Sequence, residues 1–181
     1  MKVIETAIPG VLIIEPEVFG DSRGFFLEIF RSERYLSAGV QAEFVQDNLS
    51  RSERGVIRGL HVQHTFPQGK LVTVLSGCVL DVAVDLRSGS PTFGTHVAVE
   101  LDEKSRRQLW VPRGLAHGFA VLSETADLFY KCDQQYKPEC EISIRWNDPD
   151  LGINWPFTEP RLSSKDAAAP LMRSLTTLPA F

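Results

Sequence analysis

Cysteine is scarce in this chain: Cys78, Cys132 and Cys140 are the only three among 181 residues, and none stands in Cys-x-x-Cys spacing. So small and scattered a set builds neither a disulfide framework nor a thiolate zinc site, and all three read as packing residues. Long apolar runs are missing too. Nothing approaches the ~18 uninterrupted residues of a membrane-spanning helix, and Met1-Lys2-Val3-Ile4 reaches Glu5 before a secretory apolar stretch can form. A cytoplasmic, soluble protein with no membrane partner is therefore expected. Positive charge is not in excess, with 19 Lys and Arg against 23 Asp and Glu for a net charge of −4. That balance opposes a broad basic face for nucleic acid, though it permits a local basic pocket for an anionic ligand. Repeats, low-complexity tracts and linkers are also lacking, and helical periodicity is confined to two short segments.

What is present is an ordinary globular composition, 43% hydrophobic and 23% charged. A chain of this length buries more than ~65% of its unfolded surface when folded as one unit. One domain over 1–181 is expected, with a C-terminal tail from about residue 170. The dominant period is two. Leu80, Val82, Val84 and Leu86 alternate with Asp81, Ala83 and Asp85, while Ile142, Ile144 and Trp146 alternate with Ser143 and Arg145. Runs 11–14 and 24–30 are rich in β-branched and aromatic residues and bounded by Pro9-Gly10 and Gly20-Asp21. Further strands are predicted at 70–76, 96–99, 108–111, 118–122 and 127–131. Helices are predicted at 32–38, stopped by Gly39, and at 163–169, stopped by Pro170; 147–161 reads as an ordered irregular loop. The sum is all-β: an antiparallel sandwich or barrel with a few short helices.

Chemistry concentrates in two segments, Arg58-Gly59-Leu60-His61-Val62-Gln63 and Pro112-Arg113-Gly114-Leu115-Ala116-His117-Gly118-Phe119. The second has the Pro-x-Gly-x-x-His form of cupins, small jelly-roll barrels that often bind a metal. The metal-binding members resembled here carry His-x-His and a following Glu in the other half. Here Gln63 stands at the second of these positions and the next strongly charged residue is Lys70, an ammonium that opposes a cation. The expectation is a cupin-like barrel with no metal and no cofactor. A pocket of His, Lys, Arg and Tyr suits proton abstraction beside a carbonyl: histidine as base, a cation for the oxyanion, tyrosine as acid. The same residues also occur as hydrogen-bonded core and edge positions in β proteins, and composition alone leaves both readings open.

An ordered set of segments narrows the choice: Phe19-Gly20-Asp21-Ser22-Arg23-Gly24-Phe25-Phe26-Leu27-Glu28, Gln46-Asp47-Asn48, Arg58 through Gln63, Gln68-Gly69-Lys70, Pro112 through Phe119, Tyr130-Lys131, Trp146-Asn147-Asp148-Pro149 and Leu162-Ser163-Ser164-Lys165-Asp166. From about residue 4 to about residue 170 the chain resembles the dTDP-4-dehydrorhamnose 3,5-epimerase family. The resemblance implies a dTDP-4-keto-6-deoxyglucose substrate, inverted at C3 and C5 through enolates to dTDP-4-keto-L-rhamnose. It implies His61 as general base oriented by Asp166, Tyr130 as acid on the opposite face, and Lys70 on the enolate oxygen. It further implies substrate contacts from Arg23, Glu28, Phe19, Gln46, Asn48, Arg58 and His117, in a homodimer whose nucleotide site is shared across the interface. Tyr136 and His64 receive no assignment. The alternatives are a mono-epimerase acting at C5 or C3 only, a metal-dependent cupin oxygenase, and a non-catalytic sugar-nucleotide-binding barrel.

Overall fold

The computed structural model describes residues 1–180. In chain order the strands are β1 (Lys2–Glu5), β2 (Leu12–Glu15), β3 (Val18–Asp21), β4 (Gly24–Leu27), β5 (Gln46–Glu53), β6 (Ile57–Gln63), β7 (Lys70–Ser76), β8 (Cys78–Asp85), β9 (His96–Asp102), β10 (Gln108–Val111), β11 (Leu115–Val121), β12 (Thr125–Cys132) and β13 (Glu141–Ser143). Two short α-helices, α1 (Ser32–Ser37) and α2 (Ser164–Ala167), complete the regular elements with two 3-10 turns. One sheet has the order β1-β2-β10-β7-β12-β5 and the other β13-β6-β11-β8-β9, while β3 and β4 form a separate hairpin. The pairings between these named strands are all antiparallel. This is a cupin-like jelly roll, and strict alternation builds it: Val72 and Val74 of β7 point between the sheets to meet Val79, Leu109, Phe119 and Leu128, whereas Leu71 points outward.

Both outer faces are covered. Against the six-stranded sheet, α1 and its flanks bring Tyr35, Val40, Phe30 and Phe44 onto Leu12, Ile14, Leu71 and Trp110. Tyr35 is fixed there by donating its hydroxyl hydrogen to Gln108 Oε1 at 2.6 Å. Against the five-stranded sheet, the segment after β13 brings Ile144, Leu151, Trp155, Met172 and Leu175 onto Leu60, Val62, Val82, Val84 and Leu86. The stretch expected as a tail is thus partly packed, and the Ser88 amide donates to the Pro179 carbonyl at 2.8 Å.

Several boundaries differ from expectation. The run 24–30 leaves the strand after Leu27, and the Ile29 carbonyl instead accepts the Gln108 side-chain amide at 3.0 Å. Strand β13 stops at Ser143; Ile144 still exchanges backbone bonds with Leu60, but the Arg145 amide turns to the Pro170 carbonyl. The polar strand β5, unmarked by apolar alternation, and β6, which carries the first histidine motif, are strands that periodicity did not single out. Cys132 and Cys140 are buried and Cys78 is half-buried; all three are free thiols.

Candidate active site

Alternation also selects the polar side chains that enter the sandwich at one end. On β7, Lys70 shares the inward face with Val72; on β12, Tyr130 shares it with Leu128. Register then places them side by side: Cys132 lies opposite both Lys70 and Gln46, and Tyr130 opposite both Val72 and Asn48. From the facing sheet, Leu60 and Val62 pack outward, so His61 and Gln63 between and beyond them face in. These side chains, with Gln68, Tyr136, Glu141 and Lys165, line a cavity of about 290 Å³.

Within it, His61 Nε2 lies 2.6 Å from Asp166 Oδ1. Asp166 is free for this contact because the Ser163 hydroxyl, rather than Asp166, caps α2 by accepting the Asp166 amide hydrogen at 3.1 Å. Burial alone would raise the Asp166 carboxyl, but its hydrogen bonds with His61, the Ser163 hydroxyl and the Gly59 amide hold it below the ordinary carboxylate range. The carboxylate is therefore ionised near neutrality, and Nε2–H donates to it. The free lone pair is left on Nδ1, which lies 3.9 Å from Glu141 Oε1. Burial pushes the Lys70 ammonium downward against the opposing influence of Cys132, Glu141 and Asp81. Burial likewise raises the Tyr130 phenol, which stays protonated throughout the neutral range.

The remaining expected residues fall in three places. Gln46 and Asn48 line the cavity, joined by a Gln46 Nε2 to Asn48 Oδ1 bond of 3.0 Å. Arg58 stands at its flank, donating to the Ser52 hydroxyl at 2.9 Å, in a neighbouring cavity of about 410 Å³ that also touches His61, Asp166 and Lys165. His117 is opposite His61 in register but is not among the lining side chains; its ring is buried against Asp81, with Nε2 2.9 Å from Oδ1. Phe19 and Arg23 belong to the β3–β4 hairpin, which lines a different concavity. Arg23 there pairs with Asp21 at 2.6 Å, and Glu28 just beyond pairs with Arg34 at 2.9 Å. The structure does not bring these three into the His61 cavity of the same chain.

Sequence reasoning missed Gln63, Gln68, Glu141 and Lys165 as lining residues and left Tyr136 undecided. Glu141 binds Lys165 and accepts the Tyr136 hydroxyl at 3.1 Å. Gln63 accepts the Lys137 amide at 2.7 Å and donates to the Gln135 carbonyl at 3.3 Å, which holds the Tyr136 loop. Lys165 lies in the segment Leu162-Ser163-Ser164-Lys165-Asp166 and Glu141 opens an alternating segment, but nothing local to either indicates a pocket. His64 bonds to the Thr65 hydroxyl outside the cavity.

A cupin metal would need several donors converging on one point. Among the described residues no group of three His, Cys, Asp or Glu is placed to hold one. Asp166 engages Nε2 of His61, Asp81 engages His117, and Lys70 puts a cation in the cavity. The donor set does not fit a metal.

Fold and site together define a cupin-type barrel whose pocket holds a histidine–carboxylate dyad, a lysine and a tyrosine. The chain matches the family model described as dTDP-4-dehydrorhamnose 3,5-epimerase over residues 5–174. It belongs to that family of isomerases. It is 54% identical to the dTDP-4-dehydrorhamnose 3,5-epimerase of Salmonella typhimurium, covering 95% of this chain and 96% of the relative. It is also similar to the crystal structure of a dTDP-6-deoxy-D-glucose-3,5-epimerase from Legionella pneumophila in complex with dTDP-4-keto-L-rhamnose, with a TM-score of 0.96, 52% identity and coverage of 99% and 98%. A 3'-monoepimerase from Streptomyces bikiniensis in complex with dTDP-quinovose is also similar, with a TM-score of 0.90, 37% identity and coverage of 97% and 91%.

Proposed function

We propose that the protein inverts C3 and C5 of dTDP-4-keto-6-deoxyglucose, giving dTDP-4-keto-L-rhamnose. The observation that carries this reading is the 2.6 Å His61–Asp166 contact in a cavity that also holds Lys70 and Tyr130. The C4 ketone acidifies the adjacent C–H bonds. His61 Nδ1 takes the proton from C5 or C3, and the bonding pair moves into the enolate with charge on O4. Asp166 keeps the proton of the other ring nitrogen in place and stabilises the imidazolium that forms. Lys70 donates a hydrogen bond to O4, the kind of interaction worth about 3–4 kcal/mol when one donor is removed. Tyr130 returns a proton to the opposite face, which inverts the centre. The phenolate then regains a proton from solvent and the imidazolium loses one, readying the pair for the second carbon.

The nucleotide is held by Gln46, Asn48 and Arg58 at the flank of the cavity, with the guanidinium suited to the pyrophosphate. His117 supports the sugar end, through its place beside His61. Phe19, Arg23 and Glu28 act in the cavity of a second copy, in a homodimer built on the hairpin. Its exposed Phe19, Phe25 and Phe26, at 56%, 55% and 69%, support that arrangement. The whole chain works as one cytoplasmic domain.

Proton NMR of dTDP-4-keto-6-deoxyglucose with EDTA-treated protein in D2O tests the reading. Deuterium at both C3 and C5, slowed by about 10²–10⁴-fold in His61→Asn, is expected. Exchange at one carbon only makes the protein a mono-epimerase, and exchange at neither leaves a binding barrel.

A further inference from the structure

We propose that Asp133, gripped by Arg113, is a positioning residue that sets Lys70 relative to Tyr130. The inference rests on the assignment of Lys70 to O4. Lys70 is the first residue of β7 and Cys132, its partner in register, is the last of β12. At this pair the regular ladder ends, and contacts from Asp133 and Arg113 hold the two segments just beyond it. Asp133 Oδ1 accepts the Gly69 amide hydrogen at 2.6 Å, and the Asp133 amide donates to the Gly69 carbonyl at 3.2 Å. Arg113 closes the clamp, its Nε donating to Asp133 Oδ2 at 2.9 Å and its Nη2 to the Asp133 carbonyl at 3.2 Å.

Gly69 is required by the closeness of this fit: a Cβ there would lie 2.6 Å from Trp110 Cη2 and 2.9 Å from Asp133 Oδ2. Next to it, the Gln68 side-chain amide donates to the Gln134 carbonyl at 2.6 Å. The Asp133 side chain is 2% exposed whereas Arg113 is 53% exposed, so the buried carboxylate is the working half. The Lys70 ammonium makes no hydrogen bond or ion pair among the described residues. The place of its ammonium is inherited from the backbone that Asp133 holds. Tyr130 lies on β12, two positions before Cys132 and on its face of the strand. A single carboxylate therefore fixes the end of the β7–β12 ladder, next to the strand position that carries the oxyanion donor and two residues beyond the acid.

The test is a double-mutant cycle read by deuterium exchange at C3 and C5. Misplacing a reacting group by about 1 Å costs on the order of 10²-fold in rate. Asp133→Ala should lower kcat by about that factor while KM and the Kd for dTDP change less than about threefold. Asp133→Asn, whose amide oxygen still accepts the Gly69 hydrogen, should recover to within about tenfold of wild type. In a Lys70→Ala background Asp133→Ala should cost nothing further, since the clamp has no ammonium left to place. Equal losses in both backgrounds, or a loss in KM rather than kcat, would overturn the proposal. Should Asp133→Ala fail to fold, Arg113→Ala enters the same cycle, with a loss of about three- to tenfold that again vanishes without Lys70; persistence of that loss overturns the clamp. Wild-type protein that exchanges no deuterium fails the epimerase reading itself, whereas exchanging wild type with additive losses fails only the clamp.

Discussion

His61 and Asp166 are 105 residues apart in the chain and 2.6 Å apart in space. His61 arrives on β6, in the five-stranded sheet, and Asp166 on a helix of four residues that follows a long irregular crossing of that sheet's outer face. The contact is made by the cap of that helix. With Ser163 satisfying the helix amide, the Asp166 carboxylate is left to the imidazole, whose Nε2 hydrogen it accepts.

The two ends of this dyad should fail differently. His61→Asn removes the base and should lower exchange at both carbons by about 10²–10⁴-fold. Asp166→Asn leaves the base but loses the charge that orients it, so kcat should fall by a smaller factor, with dTDP affinity unchanged in a calorimetric titration.

Tyr130→Phe separates abstraction from inversion. The phenyl ring keeps the packing but delivers no proton to the opposite face. In D2O the variant should still exchange C5–H, with return of deuterium to the original face, while formation of inverted product drops by about 10²-fold or more; NMR coupling constants distinguish the two outcomes.

The alkaline limb of kcat should belong to Lys70. Burial lowers its pKa from 10.5, and burial raises that of Tyr130 from 10.0. As pH climbs the ammonium is therefore lost ahead of its ordinary range, and the phenol behind its own. Activity should decline below pH 10.5, and in Lys70→Arg, slower at its maximum, the limb should move upward, because a guanidinium stays charged beyond pH ~12.

Asp166 also couples folding to acid. Its carboxyl is depressed below 3.8 in the folded protein. The ionised form is thus favoured by folding, and its contribution is complete above the unfolded pKa and lost as pH falls through the folded one. The difference in Tm between wild type and Asp166→Asn should be steady near neutrality and shrink below about pH 3.8, the unfolded value.

Gly59, two residues before the base, has φ +114°, and a Cβ there would lie 2.6 Å from Gly118 Cα and 2.7 Å from the His117 carbonyl oxygen. Both contacts are backbone and cannot swing away. Gly59→Ala should destabilise the fold by about 3 kcal/mol or more, seen as a lowered denaturation midpoint.

Much of this architecture is legible in the residues themselves. Period-two alternation marks β7, β8, β10 and β12, because each buries a face or two and water selects the pattern. It is silent for β5, whose inward row of Gln46, Asn48, Ser50 and Ser52 is polar, and for β6, whose glycine and charged positions interrupt the apolar run. Helix limits were readable at Gly39 and Ser163, where capping is a local matter. The motif segments named His61, Lys70, Tyr130 and Asp166 together.

What the chain's local chemistry determined is therefore the fold class and the kinds of groups available. Proximity required the tertiary structure. Glu141 and Lys165 reach the cavity from β13 and α2, two short elements whose local patterns do not say that they meet. Asp133 reaches Gly69 across 64 positions. His117 meets Asp81 across 36, and the hairpin carrying Phe19 and Arg23 stands apart from the His61 cavity. Hydrophobic alternation is a short-range signal, written wherever a strand meets water on one side. Which polar ends of those strands converge depends on register and strand order, which the packing of the whole sandwich decides.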